Sequence, residues 1–413
     1  MNYPTMILTT MNTTSHHLLL LFLTNIILLS TAKTQPRHRA QTPDPPLKSI
    51  YDSMTIDIPS SDYVIHDPSQ IITYGNHQLI AVTGKAQEDG YDCGLETWWR
   101  PLGASGWNPG QCLLQTKPDW VLEDCPGNDG AYWAPELDFI EEEGKLTLLY
   151  SVSGGFDEDS SDSCVGVVRA EGGMDDSFPN EFTWVDQGFA VTCTYGDEFE
   201  IEQSVIDPSV FWGMGNDEGR LFLVTGGGTI IGTQLNSQTY NQINGNWFDP
   251  SDSSWVSLAR GPWDGEEYQW VEAAYIYPNS DTGYYYLFVN WGQCCRGLDS
   301  TYEIRVGRSS NPIGPYTDKN GVDFMEGGGS RLLKGGTGSL DYIIGPGHAG
   351  IWTDSENRDW LSHHYYDGRR EDGLAWITER RLEWDDEGWP RITGSPKNVF
   401  QLCRLFRFKF NVR

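Results

Sequence analysis

Positive charge is scarce in this chain: 28 lysines and arginines stand against 58 aspartates and glutamates, a formal net charge of −30. A polyanion is held by a basic surface that displaces its counterions, so nucleic acid is excluded as the natural partner and a neutral substrate is favoured. No Cys-x-x-Cys pair occurs, which argues against a structural zinc site. No long stretch carries a helical period of apolar residues, so helix should be scarce. The apolar run LLLLFLTNIILL from Leu18 is too short to cross a bilayer comfortably, and no membrane partner is expected.

Residues 1–32 hold no Lys, Arg, Asp or Glu and end in Ser30, Thr31 and Ala32. A short apolar core followed by small residues fits a signal peptide cleaved behind Ala32, and hence a secreted, extracellular protein. Residues 33–56, polar and at first Pro-rich, read as a linker, which leaves 57–413 as one domain. All eight cysteines, at 93, 112, 125, 164, 193, 294, 295 and 403, lie beyond the signal, an even count that suits an oxidising compartment. The adjacent Cys294 and Cys295 either bond to each other or pair elsewhere. The acidic run GFDEDSSDS from Gly154 lacks the glycine and terminal glutamate of an EF-hand and reads as a loop.

What is abundant points to strands. The chain has 46 glycines, 22 prolines and 13% aromatic residues, a composition for many short strands joined by tight turns. Five stretches repeat one pattern: HDPSQIITYGNHQLIAVTG from His66, WAPELDFIEEEGKLTLLYSVSG from Trp133, IDPSVFWGMGNDEGRLFLVTGG from Ile206, VEAAYIYPNSDTGYYYLFVNWG from Val271 and GPGHAGIWTDSENRDWLSHHYYDG from Gly345. Their lead polar residues Asp67, Glu136, Asp207, Glu272 and His348 are spaced by 69, 71, 65 and 76 positions. A unit of about four strands that recurs at such a period is the mark of a β-propeller blade. The expected fold is therefore all-β, a five-bladed β-propeller, with each lead residue on or just before an innermost strand and pointing toward the axis. Closure is assigned to the alternating run LFRFKFNV from Leu405 or to the segment before Tyr63.

Four carboxylates and an imidazole converging on one mouth suggest a catalytic site. Asp67 and Asp207 sit in matching HDPS and IDPS segments, where the proline after each holds the chain extended. Glu272 lies in QWVEAAYIY, where burial beside Trp270 would raise its pKa and keep it protonated, while Asp67 in polar surroundings would stay ionised. Two carboxyls with opposite tasks are what glycoside hydrolysis needs. Trp133 and Trp270, each next to an axial carboxyl, are candidate sugar-stacking faces.

The HDPS, WAPE, IDPS, VEAAYI and GPGH segments, with FVNWGQCCRG, STYEIRVGRSSNPIGPYTDKNG, HYYDG and EWDDEGWP, resemble glycoside hydrolase family 43 across residues 60–395, most closely its endo-1,5-α-L-arabinanases. The resemblance implies an inverting enzyme that cuts α-1,5-linked arabinofuranose chains, acting as a monomer on arabinan, a neutral plant polysaccharide. It places the general base at Asp67, the carboxylate that tunes and orients the acid at Asp207, and the general acid at Glu272. It adds His66 and Glu136 to the substrate-binding residues, and a metal, usually calcium, on His348 at the axis, with no organic cofactor. Glu136 stands where the family usually has aspartate. The segment GRLFLVTGGGTIIGTQL stands where a serine-aromatic segment usually lines the cleft. The Cys-rich stretch from Asp92 to Asp129, with Trp98, Trp99 and Trp107, is expected to rebuild the rim; by blocking one end of the cleft it would yield the alternative, an exo-acting arabinofuranosidase or β-xylosidase. A non-catalytic carbohydrate-binding propeller is the remaining alternative, and retention of all three acidic positions argues against it.

Overall fold

The computed structural model describes residues 65–393 apart from 85–92, 105, 115, 129–131, 141–144, 154–162, 172–181, 195–203, 242–253, 266–267 and 337–340. The signal peptide, the linker, the acidic run from Gly154, Cys403 and both segments expected to close the ring lie outside the described residues.

Five four-stranded antiparallel sheets are each built from four consecutive strands, as expected for five blades. Blade 1 holds β1 (Ile72–Tyr74), β2 (His77–Thr83), β3 (Leu95–Pro101) and β4 (Asn108–Cys112), and blade 2 holds β5 (Tyr132–Ile140), β6 (Lys145–Ser153), β7 (Ser163–Glu171) and β8 (Thr183–Thr194). Blade 3 follows with β9 (Ser209–Trp212), β10 (Leu221–Thr225), β11 (Thr229–Leu235) and β12 (Val256–Arg260). Blade 4 comprises β13 (Val271–Asn279), β14 (Tyr284–Trp291), β15 (Glu303–Ser309) and β16 (Ser330–Lys334), and blade 5 comprises β17 (Ile343–Thr353), β18 (Asp359–Asp367), β19 (Ala375–Trp384) and β20 (Pro390–Thr393). One α-helix, α1 (Asp119–Asp124), stands between blades 1 and 2 among the described residues; no described helix is long and apolar enough to cross a membrane.

The inner strands read as nearly continuous apolar runs because each sheet is covered on both faces. Successive side chains point to opposite faces. In β2, Leu79 and Ala81 pack with Leu137 and Leu148 of blade 2, while Ile80 and Val82 pack with Tyr365 and Ile377 of blade 5. In β14, Tyr285, Leu287 and Val289 meet Phe211 and Phe222 of blade 3, and Tyr286 and Phe288 meet Ile351 and Leu361 of blade 5. Five apolar clusters thus fill the five blade interfaces. A slip of one residue in any of these strands would exchange its two neighbours' contacts.

Among the described residues, blades 1 and 5 meet through side chains. Arg100 on β3 grips Glu379 on β19 with both terminal nitrogens, at 2.7 and 2.9 Å, and its Nε donates to Gln78 Oε1 at 2.7 Å. Both partners are buried, and the indole of Trp107 lies under the guanidinium at 4.4 Å. Trp98 and Trp107 are buried in the same cluster. The Cys-rich stretch therefore does not serve as a rim insertion: its described part supplies β3, β4 and α1. Its strands are spoken for because blade 1 needs four of them to cover its neighbours.

The buried pair yields a prediction about closure. Arg100→Ala would strand the Glu379 carboxylate in the interface, an uncompensated buried charge worth about 3–5 kcal/mol. Urea unfolding should show that loss as a lower midpoint with an unchanged slope; a loss below about 1 kcal/mol, the value of an exposed pair, would show that the ring does not depend on this contact.

Candidate active site

One non-glycine residue in each blade takes up the left-handed backbone region near the innermost strand: Asp67 (φ 45°), Ala134 (φ 45°), Asp207 (φ 54°), Ala273 (φ 56°) and His348 (φ 58°). The inner strand pairs of blades 2, 4 and 5 shift register around this residue, so the turn is part of a bulge that re-aims the chain. Counted this way the repeat differs slightly from the sequence alignment. Glu136 falls two residues after its blade's left-handed position and Glu272 one before it, so the two glutamates do not occupy equivalent places.

The amide of each left-handed residue is accepted by a side chain of the preceding blade. Ala134 donates to Thr83 Oγ1 at 2.9 Å, Asp207 to Ser151 Oγ at 2.7 Å, and His348 to Asn290 Oδ1 at 3.0 Å. Asp67 donates to His364 Nδ1 at 3.3 Å, and Ala273 to the Asp207 carboxylate at 2.9 Å. Apart from Asp207, these acceptors were not among the predicted site residues. For Thr83, Ser151, Asn290 and His364 the signal was present as a small polar residue, Asn or His near the end of the second apolar run; the fifth acceptor, Asp207, is itself a lead residue.

Asp67 lies among imidazoles. Its Oδ2 is 2.7 Å from His66 Nδ1 and accepts from Thr83 Oγ1 at 2.8 Å, and its Oδ1 is 3.4 Å from His364 Nδ1 and 3.6 Å from His348 Nδ1. Burial works to raise its pKa, but the neighbouring His66, by its charge and its hydrogen bond, prevails, and Asp67 is held well below the usual carboxylate range. His66 stacks on His364 with ring centres 4.1 Å apart. Burial depresses His364 to about 4, so its ring is neutral and its Nδ1 is free to accept the Asp67 amide.

Glu272 has the opposite setting. Its Oε2 accepts the Trp270 indole N–H at 2.7 Å, and the Tyr302 hydroxyl bonds its Oε1. Burial raises its pKa to about 7; the Trp270 bond opposes that rise and the negative charge of Asp67 adds to it. Asp207 is buried, and its pKa is also pushed up, first by burial and then by repulsion from Glu272 and Asp67. Through its bond to the Ala273 amide, Asp207 also anchors the chain next to Glu272.

The structure thus brings Asp67, Asp207, Glu272, His66, His348 and Trp270 together. Two expectations change. Glu136 was placed on the substrate wall, yet it is only 3% exposed, its Oε2 accepts the Gln70 amide at 3.0 Å, and burial raises its pKa strongly. His66 was also expected to bind substrate, but Nδ1 faces Asp67 and Nε2 lies 2.9 Å from the Tyr366 hydroxyl, so both ring nitrogens are engaged in holding the base. Trp133 is partly buried, and Trp270, 37% exposed, keeps its indole N–H on the acid.

Donor atoms of His66, Asp67 and His364 lie within 4.8 Å of one another. The donor set around His348 is rich in nitrogen, whereas calcium takes oxygens; a calcium ion on His348 would draw most of its shell from water.

An ionised carboxylate and a carboxyl still protonated near neutrality, facing one mouth of a propeller, define an acid–base glycosidase. Residues 103–390 match the profile of Glycosyl hydrolases family 43, and the chain belongs to that family. Among curated proteins it is 31% identical to the extracellular exo-α-(1→5)-L-arabinofuranosidase ArbA of Cellvibrio japonicus, over 69% of this chain and 77% of that one. It is 28% identical to the extracellular endo-α-(1→5)-L-arabinanase 1 of Bacillus subtilis, over 80% of this chain and 88% of that one. Among solved structures, the Cellvibrio cellulosa α-L-arabinanase complexed with arabinohexaose superposes with a TM-score of 0.64 at 28% identity, covering 82% of this chain and 98% of that one.

The opposed pKa shifts lead to a prediction about pH. Glu272 must carry its proton to act as an acid, so turnover should fall as pH rises through about 7, while the acid limb, set by Asp67, should lie below the ordinary carboxylate range. Asp207→Asn removes a neighbouring negative charge, and the alkaline limb should move to lower pH with a drop in kcat. Asp67→Ala and Glu272→Ala should each lower kcat by roughly 10²–10⁴-fold. An unmoved alkaline limb in Asp207→Asn would remove the tuning role from that residue.

Proposed function

We propose that this glycosidase hydrolyses the α-1,5-L-arabinofuranosidic bonds of arabinan inside the chain, with inversion, and that it does so as a secreted monomer. The observation that carries the reading is the contrast between Asp67, kept ionised by its imidazoles, and Glu272, kept protonated by burial and Asp67. Asp67 would accept a proton from water as the water oxygen bonds to the anomeric carbon. Glu272 would protonate the glycosidic oxygen as its bond to that carbon breaks. Asp207 keeps the acid protonated and in place. An inverting pair leaves about 6.5–9.5 Å between its carboxyls for the water.

Arabinan is favoured because the similar proteins bear arabinan-cleaving names, and secretion because two of them are named extracellular. Internal cleavage is favoured over the exo-acting reading because the Cys-rich stretch that would have walled one end of the cleft is spent on blade 1. Trp270 would offer its ring face to a sugar beside the acid, with Trp133 on the neighbouring side. His348 is the side chain that would hold an axial cation, whose charge would add to the positive surroundings of Asp67.

One experiment tests chemistry and mode together. Inversion at an α-arabinofuranosyl bond releases the β-anomer first, and internal cutting lowers arabinan viscosity well before arabinose accumulates. Proton NMR in the first minutes should show the β-anomer, with chromatography showing oligosaccharides. Initial α-anomer would overturn the roles given to Asp67 and Glu272; β-anomer with arabinose as the sole early product would assign the exo mode.

A further inference from the structure

The loop between β14 and β15 carries Cys294 and Cys295 joined to each other by a disulfide. Cys295 is exposed and its backbone lies in the left-handed region at φ 65°, a costly conformation for a residue with a Cβ. In that conformation its amide donates to the Tyr366 hydroxyl at 3.2 Å. The same hydroxyl is 2.9 Å from His66 Nε2, and His66 Nδ1 is 2.7 Å from Asp67 Oδ2. Cys295 Sγ stands 3.9 Å from His66 Nε2. An amide, a phenol, an imidazole and a carboxylate are therefore linked in series.

The order of donors gives the series a direction. A phenol has one proton. With the Cys295 amide donating into the oxygen, the phenol's remaining hydrogen-bonding capacity faces His66 Nε2. His66 keeps a proton on Nδ1 and donates it to Asp67. The partner of one ring nitrogen sets the proton on the other.

We propose that the Cys294–Cys295 disulfide is a positioning element for the base: it holds the Cys295 amide on Tyr366 and so, through His66, orients the Asp67 carboxylate. The proposal rests on the reading of Asp67 as the base. It also makes the enzyme responsive to dithiols. In the reduction the Sγ–Sγ bond breaks and each sulfur gains a proton, while the dithiol gives up two S–H protons and two electrons and closes to its own disulfide. Cys295 is then free to leave the left-handed turn and take its amide off Tyr366. The Cys164–Cys193 bridge is buried, at 0 and 1% exposure, and Cys93 of the Cys93–Cys112 bridge is 8% exposed. Exposed disulfides are the labile ones, so a mild dithiol reaches the Cys294–Cys295 pair first.

The test compares the oxidised protein, the protein mildly reduced with dithiothreitol, the Cys294→Ala/Cys295→Ala double variant and Tyr366→Phe. Alkylation and mass spectrometry confirm that only Cys294 and Cys295 open. On linear arabinan, reduction should lower kcat by about ten- to a hundred-fold, the scale of a misplaced catalytic group, with KM little changed and full recovery on reoxidation. The double variant should match the reduced protein and ignore dithiothreitol, and Tyr366→Phe should be equally slow in both redox states. Unchanged kcat in the reduced protein or the double variant would overturn the proposal, as would a rise in KM alone, which would place the pair on the substrate wall. Hydrogen exchange supplies a readout independent of turnover. The Cys295 amide should exchange faster after reduction and in Tyr366→Phe, and equal exchange in all forms would sink the clamp. Should the oxidised protein fail to cut arabinan, the substrate reading falls, and the exchange rates still decide the clamp.

Discussion

Five left-handed residues around the axis, each with its amide held by a side chain from an adjoining blade, are the constraint on which the rest depends. A left-handed backbone costs a residue with a Cβ about 1–2 kcal/mol, and a buried amide without a partner costs about 1–3 kcal/mol. Neither is tolerable alone. Together they are consistent, because the turn aims the amide at Thr83, Ser151, Asp207, Asn290 or His364 of the neighbouring blade. The ring therefore closes in the polar layer as well as in the apolar clusters. Strain of this kind concentrates at functional sites when the surroundings over-determine it, and here the same turns carry Asp67 and Asp207 and adjoin Glu272.

That ring also explains how one mouth supports two carboxyls of opposite charge state. Blade 5 contributes His348 and His364, and blade 1 contributes His66 next to Asp67, so the imidazoles gather on one side of the axis. Blades 3 and 4 bring Asp207 and Glu272 together, and burial raises both, with the charge of Asp67 adding to each and that of Glu272 adding to Asp207. The acid–base difference is a difference between the two sides of the ring. It follows from which blades are neighbours, and no single blade contains it.

Much of this was legible in the residues. The repeat period announced five blades, and the Asp-Pro-Ser segments announced two of the three acidic groups, because a repeated backbone need leaves a repeated local pattern. The apolar setting of Glu272 announced a raised pKa through burial, although Trp270, expected to cause it, opposes the rise through its indole N–H. The two glutamates were harder to place. WAPE and VEAA align with HDPS by eye, yet the bulges in β5 and β13 put Glu136 two places past the turn and Glu272 one place before it. One residue of shift turns a side chain to the other face of the sheet, so Glu136 went inward and Glu272 stayed at the mouth.

By itself the sequence determined the strand-rich architecture and the number of blades, and it pointed to Asp67, Asp207 and Glu272, since these follow from period, composition and local geometry. Only the tertiary structure decided what those groups do to one another. His66 proved to be a holder of Asp67 because Tyr366, 300 residues away in sequence, meets its far nitrogen. Arg100 proved to join blades 1 and 5 because it meets Glu379 at a separation of 279. Contacts across such separations are set by the order of blades around the axis, and no local pattern in the chain encodes the distance between two side chains that meet only after the ring has closed.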